Sequence, residues 1–215
     1  MPYIGTILVE DGVKSVGNSA FAACSSLTKI RIAKTVKIIG EAAFKKYSQL
    51  RVVDFAKGSQ LKEMKKGSFI GIAATELVIP DSVTKIGQDV FQFCGSLSCV
   101  TLGDNCRDIG CGAFAFCDQL FTVVYQGNCE PACKENVFEA DSLEPIEVSK
   151  NYYGKTAYGI PVKKVDDINS VCCCSKQDKQ DERLTNADEK TEKDNELAQS
   201  AKDWQRVLVL QELLG

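Results

Sequence analysis

The hydrophobic positions of this chain recur as two short patterns that alternate with each other. In the first pattern, segments such as Val13–Phe21 and Val36–Phe44 end in a phenylalanine that follows a glycine by four residues. The second pattern alternates apolar and polar residues, as in Ile30–Ile32, which is typical of a half-buried β-strand. The phenylalanines recur every 22 to 25 residues, at Phe21, Phe44, Phe69, Phe91, Phe114 and Phe138.

A repeat of this length predicts a solenoid. A unit of about 23 residues with one strand cannot form a core of its own, so each unit buries its apolar side against its neighbours. The strands are expected to stack about 4.8 Å apart as a parallel sheet. One repeat position favours a residue without a Cβ atom, because the backbone bends sharply or approaches another strand closely there. The glycines at this position are Gly17, Gly40, Gly87 and Gly110.

The repeat also resembles a known family. The motif Ile-Gly-x-x-Ala-Phe-x-x-Cys-x-x-Leu, seen nearly complete in Val16–Leu27, resembles the BspA-type leucine-rich repeats over about residues 7–148. The resemblance implies an α/β leucine-rich-repeat solenoid, mostly β, with a parallel strand stack and short turns or helical segments on its back. Members of that family look like surface proteins of anaerobic bacteria and parasitic protists. The resemblance therefore implies an adhesin-like or surface-antigen-like role at the cell surface.

The chain changes character after residue 165, where 12 acidic and 7 basic side chains follow. We expect residues 1–165 to form the solenoid with its caps, residues 166–196 to form a charged linker, and residues 197–215 to form an amphipathic α-helix. Two alternatives stay open for this helix: it docks on the end of the solenoid, or it mediates self-association or binds an external groove. The apolar residues at helical spacing are Leu197, Ala201, Trp204 and Leu208.

The composition argues against several function classes. The chain has no His, which removes Ser-His-Asp and Cys-His catalytic sites. Its net charge of −3 over 215 residues gives no electrostatic argument for nucleic acid, and we predict no such partner. No apolar run is long enough to span a bilayer, and the first residues do not resemble an export signal. This favours a cytoplasmic location, whereas the family resemblance implies the cell surface.

The chain contains 11 cysteines, an odd number with adjacent members, which does not match a disulfide framework. We therefore expect free thiols in a reducing compartment. Cys24, Cys94 and Cys117 share a repeat position with Tyr47 and Ile72, which is typical of cysteine used as a small core hydrophobe. In an oxidising compartment, Cys94 and Cys117 on adjacent coils would be close enough to form a disulfide bond.

The remaining cysteines suggest other chemistry only weakly. Cys106 with Cys111, and Cys129 with Cys133, have spacings seen among zinc ligands, but the paired Cys-x-x-Cys couples of structural zinc sites are missing. We predict no metal and no cofactor. The run Cys172–Cys174 has two interpretations: S-acylation that tethers the chain to a membrane, or an oxidation-prone run without a function. Without that tether, no membrane contact is predicted.

The candidate binding surface consists of strand residues that point away from the core. Solenoids present such rows as an extended face to their partners. Apolar members make part of the face a plausible contact site, and the alternative is an ordinary solvated strand surface. The predicted partner-binding residues are Arg31, Asp54, Glu76, Val78, Thr101 and Val124.

Together, these observations favour a non-catalytic protein-protein interaction module that binds through the sheet face of the solenoid. Two alternatives come from other classes. One is a structural protein that oligomerises through its C-terminal helix. The other, which the sequence favours less, is a metal or redox protein built on the clustered cysteines.

Overall fold

The computed structural model describes residues 5–21, 26–131, 136–138 and 143–171. All of them belong to one compact unit, Met1–Cys173, and a second unit, Cys174–Gly215, lies outside the described residues. The predictions made for Cys24, Cys133, the run Cys172–Cys174 and the C-terminal helix therefore concern residues outside the described part, as does most of the charged linker.

The described residues form short strands connected by turns, with one helix near their C-terminal end. In chain order, the elements are β1 (Thr6–Val9), β2 (Ser15–Val16), β3 (Lys29–Ile32), β4 (Ile38–Ile39), β5 (Val52–Phe55), β6 (Glu63–Met64), β7 (Glu76–Ile79), β8 (Lys85–Ile86), β9 (Cys99–Leu102), β10 (Asp108–Ile109), β11 (Thr122–Tyr125), β12 (Ile146–Ser149), β13 (Thr156–Ala157), β14 (Ile160–Val165) and α1 (Ile168–Val171).

The longer strands form the wide side of the solenoid, which is the predicted parallel stack. Strands β1, β3 and β5 pair in parallel, and Ile7, Ile30 and Val53 stand in one register. A second group follows in the order β7, β9, β11, β12 and β14, again parallel. The strand pairing is interrupted between β5 and β7, so the wide side consists of two sheets.

Five of the two-residue strands form a narrow second sheet on the other side of the coils, in the order β10-β8-β6-β4-β2. The sequence predicted turns or helical segments there, and the structure contains turns together with this sheet. The predicted glycine position lies directly after these strands. A Cβ atom on Gly40 would lie 2.5 Å from the backbone carbon of Gly17, and one on Gly110 would lie 2.4 Å from the backbone nitrogen of Gln88. Close backbone approach therefore explains Gly40, Gly87 and Gly110, whereas an added Cβ at Gly17 would meet only the Ala20 side chain at 3.9 Å.

The repeated phenylalanines stack on one another inside the solenoid. Adjacent rings lie 5.0 to 5.5 Å apart and nearly parallel from Phe21 through Phe138. The inner members of this ladder are fully buried. Each ring covers a face of the next, so the apolar surface of one coil is removed from water by its neighbours.

Tyrosine side chains close the C-terminal end of this core. Tyr152 and Tyr158 pack edge-on against Tyr125, with ring centroids 6.2 and 5.3 Å away. The Tyr152 hydroxyl donates a hydrogen bond to the Thr156 carbonyl at 2.6 Å, and the Tyr158 hydroxyl donates one to the Cys106 carbonyl. The hydroxyls of Tyr152 and Tyr158 therefore have partners, whereas the buried hydroxyl of Tyr125 makes no hydrogen bond within the described part of the chain.

Candidate interaction surfaces

The first part of the predicted binding face is open to solvent. Leu8, Arg31 and Asp54 lie in one register on β1, β3 and β5, and all three point away from the core. Leu8 is 55% exposed, and Val52 in the neighbouring row is 39% exposed. The Arg31 Nε atom lies 3.6 Å from an Asp54 carboxylate oxygen. This part of the face therefore presents apolar and charged side chains side by side.

The second part of the face is less accessible than the sequence predicted. Glu76 and Val78 on β7 are half-buried, and Thr101 and Val124 are 0% exposed. The expectation that Thr101 and Val124 are accessible is wrong. Both point away from the core, since their strand neighbours Val100 and Val123 face inward. Alternation along a strand predicts the face of the sheet on which a side chain lies, but it does not predict whether that side chain is exposed to solvent.

A disulfide bond also lies on the second part of the face. Cys99 is the first residue of β9, in register with Glu76 and Thr122, and its sulfur is disulfide-bonded. The expectation of free thiols throughout is therefore wrong at this position. The count and adjacency of the cysteines could not reveal this bond, because a disulfide depends on which residues the fold brings together. The free cysteines among the described residues are Cys94, Cys106, Cys111, Cys117 and Cys129.

The buried thiols behave as packing groups, as the repeat pattern predicted. Cys94 and Cys117 are fully buried and free, and their sulfurs contact the carbonyls of Phe69 and Phe91 at 3.5 and 3.2 Å. Hydrogen bonding with the Cys117 thiol and burial raise the pKa of Cys94. Burial raises the pKa of Cys106 to about 12. At neutral pH, Cys94 and Cys106 therefore remain protonated thiols and are poor nucleophiles or metal ligands.

Two observations on the described residues bear on metal and substrate binding. Within residues 5–21, 26–131, 136–138 and 143–171, no group of three or more His, Cys, Asp or Glu is placed to hold a metal ion. An open cleft of about 370 Å³ lies along the narrow sheet. Lys85 and Glu63 at its wall form an ion pair at 2.9 Å, which raises the pKa of Lys85. Charges of both signs at this wall already neutralise each other.

An exposed aromatic stack forms a further surface that the sequence analysis missed. The Phe93 and Phe116 rings stack 4.8 Å apart, and they are 56% and 46% exposed. Both residues have positive φ, 61° and 57°, at a turn position that Gly71 occupies in another coil. This backbone conformation is rare for bulky residues. The available signal was the Phe-x-Phe spacing, in which the second aromatic falls outside the ladder.

Parallel coils, each contributing a wide and a narrow strand around a ladder of stacked phenylalanines, define a mostly-β leucine-rich-repeat solenoid. The sequence matches the BspA type leucine rich repeat region over residues 14–144, in 6 copies. The chain therefore belongs to the BspA-type leucine-rich repeat family. The resemblance noted from the sequence is confirmed.

Solved structures of leucine-rich repeat proteins are similar to this chain. A leucine-rich repeat protein of T. pallidum (TpLRR) is 27% identical, with a TM-score of 0.54, and the match covers 73% of this chain and 78% of that one. A leucine-rich repeat protein from Bacteroides ovatus ATCC 8483 is 21% identical, with a TM-score of 0.43, covering 72% and 61%. No curated protein matches the chain. Among the described residues, no helix has the length and apolar character that crossing a membrane requires.

Proposed function

We propose that this protein is a non-catalytic module that binds a partner protein through the outward face of its wide sheet. The observation that carries the proposal is the open part of that face, where Leu8, Arg31, Val52 and Asp54 stand on paired strands. Stacked repeats hold such side chains in fixed rows. Binding a partner therefore costs little conformational entropy at this surface.

The chemistry of the open face suits a protein partner. Leu8 and Val52 supply apolar area, and the exposed Arg31–Asp54 pair beside them supplies polar contacts. Protein interfaces commonly combine an apolar centre with a polar rim. Glu76 and Val78 extend the face beyond β5. Thr101 and Val124 are 0% exposed and are therefore left out of the proposed binding set.

The absence of catalysis and the cell-surface location are also part of this proposal. Protonated, buried thiols and the lack of His support a non-catalytic role. The disulfide bond at Cys99 supports an oxidising location, because cytosolic reductants keep most thiols reduced. Membership of the BspA-type family supports an adhesin-like or surface-antigen-like protein on a cell surface.

The aromatic stack of Phe93 and Phe116 is a second candidate surface for the same function. Exposed aromatic side chains at left-handed turn positions are rare, and apolar patches on polar surfaces often mark contact sites. The two surfaces lie on different parts of the coil. Variants can therefore separate them.

The test compares proteins captured by the full chain with those captured by Leu8→Asp/Val52→Asp. The capture uses cell-surface extracts and quantitative mass spectrometry. Two carboxylates placed in the open face should reduce the capture of a true partner at least about tenfold, because interface energy is concentrated in a few buried anchors.

The matched control is Tyr153→Asp, which also replaces an exposed apolar side chain by aspartate but lies outside the face. A partner that is lost from the face variant and retained by the control supports the proposal. Equal capture by all three proteins rejects this face as the binding site. Loss only from Phe93→Ser/Phe116→Ser assigns binding to the aromatic stack instead.

A further inference from the structure

One corner of the solenoid, between the wide and the narrow strands, carries exposed lysines from three successive coils. We propose that this corner binds a sulfated polysaccharide. The site lies apart from the outward face of the wide sheet, and its ligand differs in class from the proposed protein partner. The choice of a polysaccharide among polyanions rests on the proposed cell-surface location. These residues, called the lysine corner, are Lys14, Lys34, Lys37, Lys57 and Lys62.

Charge of opposite sign is concentrated in the two halves of the repeat region. Residues 1–70 contain 12 basic and 5 acidic side chains, a net charge of +7. Residues 71–171 contain 7 basic and 14 acidic side chains, a net charge of −7. The net charge of −3 for the whole chain conceals this difference. A polyanion is therefore attracted to the first coils and repelled by the later ones.

Backbone hydrogen bonds hold three of these lysines in one column. The Lys37 N–H donates to the Lys14 carbonyl at 2.8 Å, and the Lys62 N–H donates to the Lys37 carbonyl at 2.8 Å. Each of the three residues directly precedes a strand of the narrow sheet. Because neighbouring strands stand about 4.8 Å apart, the column is about 10 Å long. All three side chains are exposed.

Lys34 and Lys57 form a second, shorter row beside this column. They follow β3 and β5 by two residues, and these two strands pair in register. Both side chains are exposed. Lys34 forms an ion pair with Asp11 at 3.3 Å. Within the described part of the chain, the other four lysines of the corner form no ion pair.

The lysine column stacks charges of like sign, unlike several other charged rows of the solenoid. In those rows, charges on neighbouring coils are opposite and form the ion pairs Arg31–Asp54, Lys85–Glu63 and Lys163–Glu147. Like charges that face each other on paired strands are destabilising. Packing of the coils alone therefore does not favour the lysine column, whereas a bound polyanion relieves its repulsion.

The surroundings of the lysine corner favour a polysaccharide over other polyanions. Segments 10–14, 33–37 and 56–62 contain no aromatic residue on which a nucleic-acid base could stack. They also expose no large apolar side chain that could insert into a membrane. The disulfide bond at Cys99 supports an oxidising location, whereas anionic lipids are concentrated in the cytoplasmic leaflet. The flexible lysine stem suits sulfate groups at varied spacing.

The fourth and fifth coils limit the extent of the site. Asp81 and Asp104 occupy the repeat position of Lys34 and Lys57, and both are exposed. Carboxylates at this position repel an anionic ligand. The proposed site therefore covers the first three coils.

Heparin, a sulfated polysaccharide, is the probe, and its affinity for the full chain is measured at increasing salt concentration. We expect binding at physiological salt that is lost at about 1 M salt, where the Debye length falls to about 3 Å. Lys37→Gln/Lys57→Gln/Lys62→Gln should bind heparin at least about tenfold more weakly, because it removes three of the five charges of the corner.

The matched control is Lys29→Gln/Lys45→Gln/Arg51→Gln, which removes three exposed positive charges outside the lysine corner. Its affinity for heparin should fall less than about twofold, because charges away from the contact are screened by salt. Equal losses in the two variants overturn the site, since binding would then follow net charge alone. Failure of the full chain to bind heparin also overturns it.

Phosphatidylserine vesicles and single-stranded poly(dT) are tested as competing polyanions with the same three proteins. Tighter binding to either of them than to heparin, with the same dependence on the lysine corner, overturns the polysaccharide as the ligand. A protein partner captured by the wide face when heparin does not bind keeps the proposed function and rejects this site. Heparin binding that depends on the corner, without a captured protein, supports this site and rejects the proposed function.

Discussion

The spacing between neighbouring coils decides which residue types fit at individual positions of this solenoid. Gly110 lies so close to the preceding coil that a Cβ atom would stand 2.4 Å from the backbone nitrogen of Gln88. Gly95 has open space around the same point, with no atom within 4 Å. Neither residue has a positive φ, so the difference between them is steric rather than conformational.

We therefore predict that Gly110→Ala destabilises the protein by about 2 to 3 kcal/mol, because the backbone of one coil must shift to accept the added carbon. Urea unfolding followed by circular dichroism measures this change. Gly95→Ala is the control and should change stability by less than about 1 kcal/mol, in either direction. Equal effects of the two substitutions would contradict the close-approach explanation.

At the scale of elements, the aromatic side chains divide into two populations within the same turns. Phe114 belongs to the buried ladder, whereas Phe116, in the same coil, is 46% exposed. The two residues have the same side chain and nearly the same sequence position. Their energetic roles are set by the direction in which the turn points each ring.

Phe114→Ala should cost about 3 to 5 kcal/mol, because it leaves a cavity between the rings of Phe91 and Phe138. Phe116→Ala should cost less than about 1.5 kcal/mol, since it removes mainly a stacked surface pair. Thermal unfolding of both variants checks this ordering. A larger loss from Phe116→Ala would show that the exposed stack, and not the ladder, holds the turns together.

The sequence was sufficient for features that repeat and insufficient for those that occur once. The phenylalanines and the glycine column recur in several copies, so their periodicity predicted the solenoid and the position of close backbone approach. A disulfide bond such as that at Cys99 depends on which residues the fold brings together, and the burial of Thr101 and Val124 differs from the exposure of Leu8 on the same face. The orientation of Phe93 and Phe116 depends on a left-handed turn conformation that their residue type disfavours.

At the scale of the whole molecule, several buried groups with raised pKa values lie together near the C-terminal end of the solenoid. Burial raises the pKa of Cys106, Tyr125 and Tyr152 to about 12 in each case, from ordinary values of 9.0 for cysteine and 10.0 for tyrosine. Burial also raises the pKa of Tyr158. These groups surround the C-terminal end of the core.

Alkaline pH should therefore destabilise the protein from this end. A group with a raised pKa in the folded state contributes stability that is complete below its unfolded pKa and is lost as pH rises towards the folded value. The loss should begin near pH 9 for Cys106 and near pH 10 for the tyrosines, and continue to about pH 12. Urea midpoints measured across this range should fall, with tyrosine ionisation accompanying unfolding. A constant midpoint would contradict the prediction.

The interruption between β5 and β7 gives the molecule a mechanical asymmetry. On the wide side no strand pairing joins these two strands, whereas on the narrow side β6 pairs with both β4 and β8. The rings of Phe44, Phe69 and Phe91 also remain stacked across this point. A tensile load along the solenoid axis would therefore open the wide side at this seam first, while the narrow side acts as the hinge.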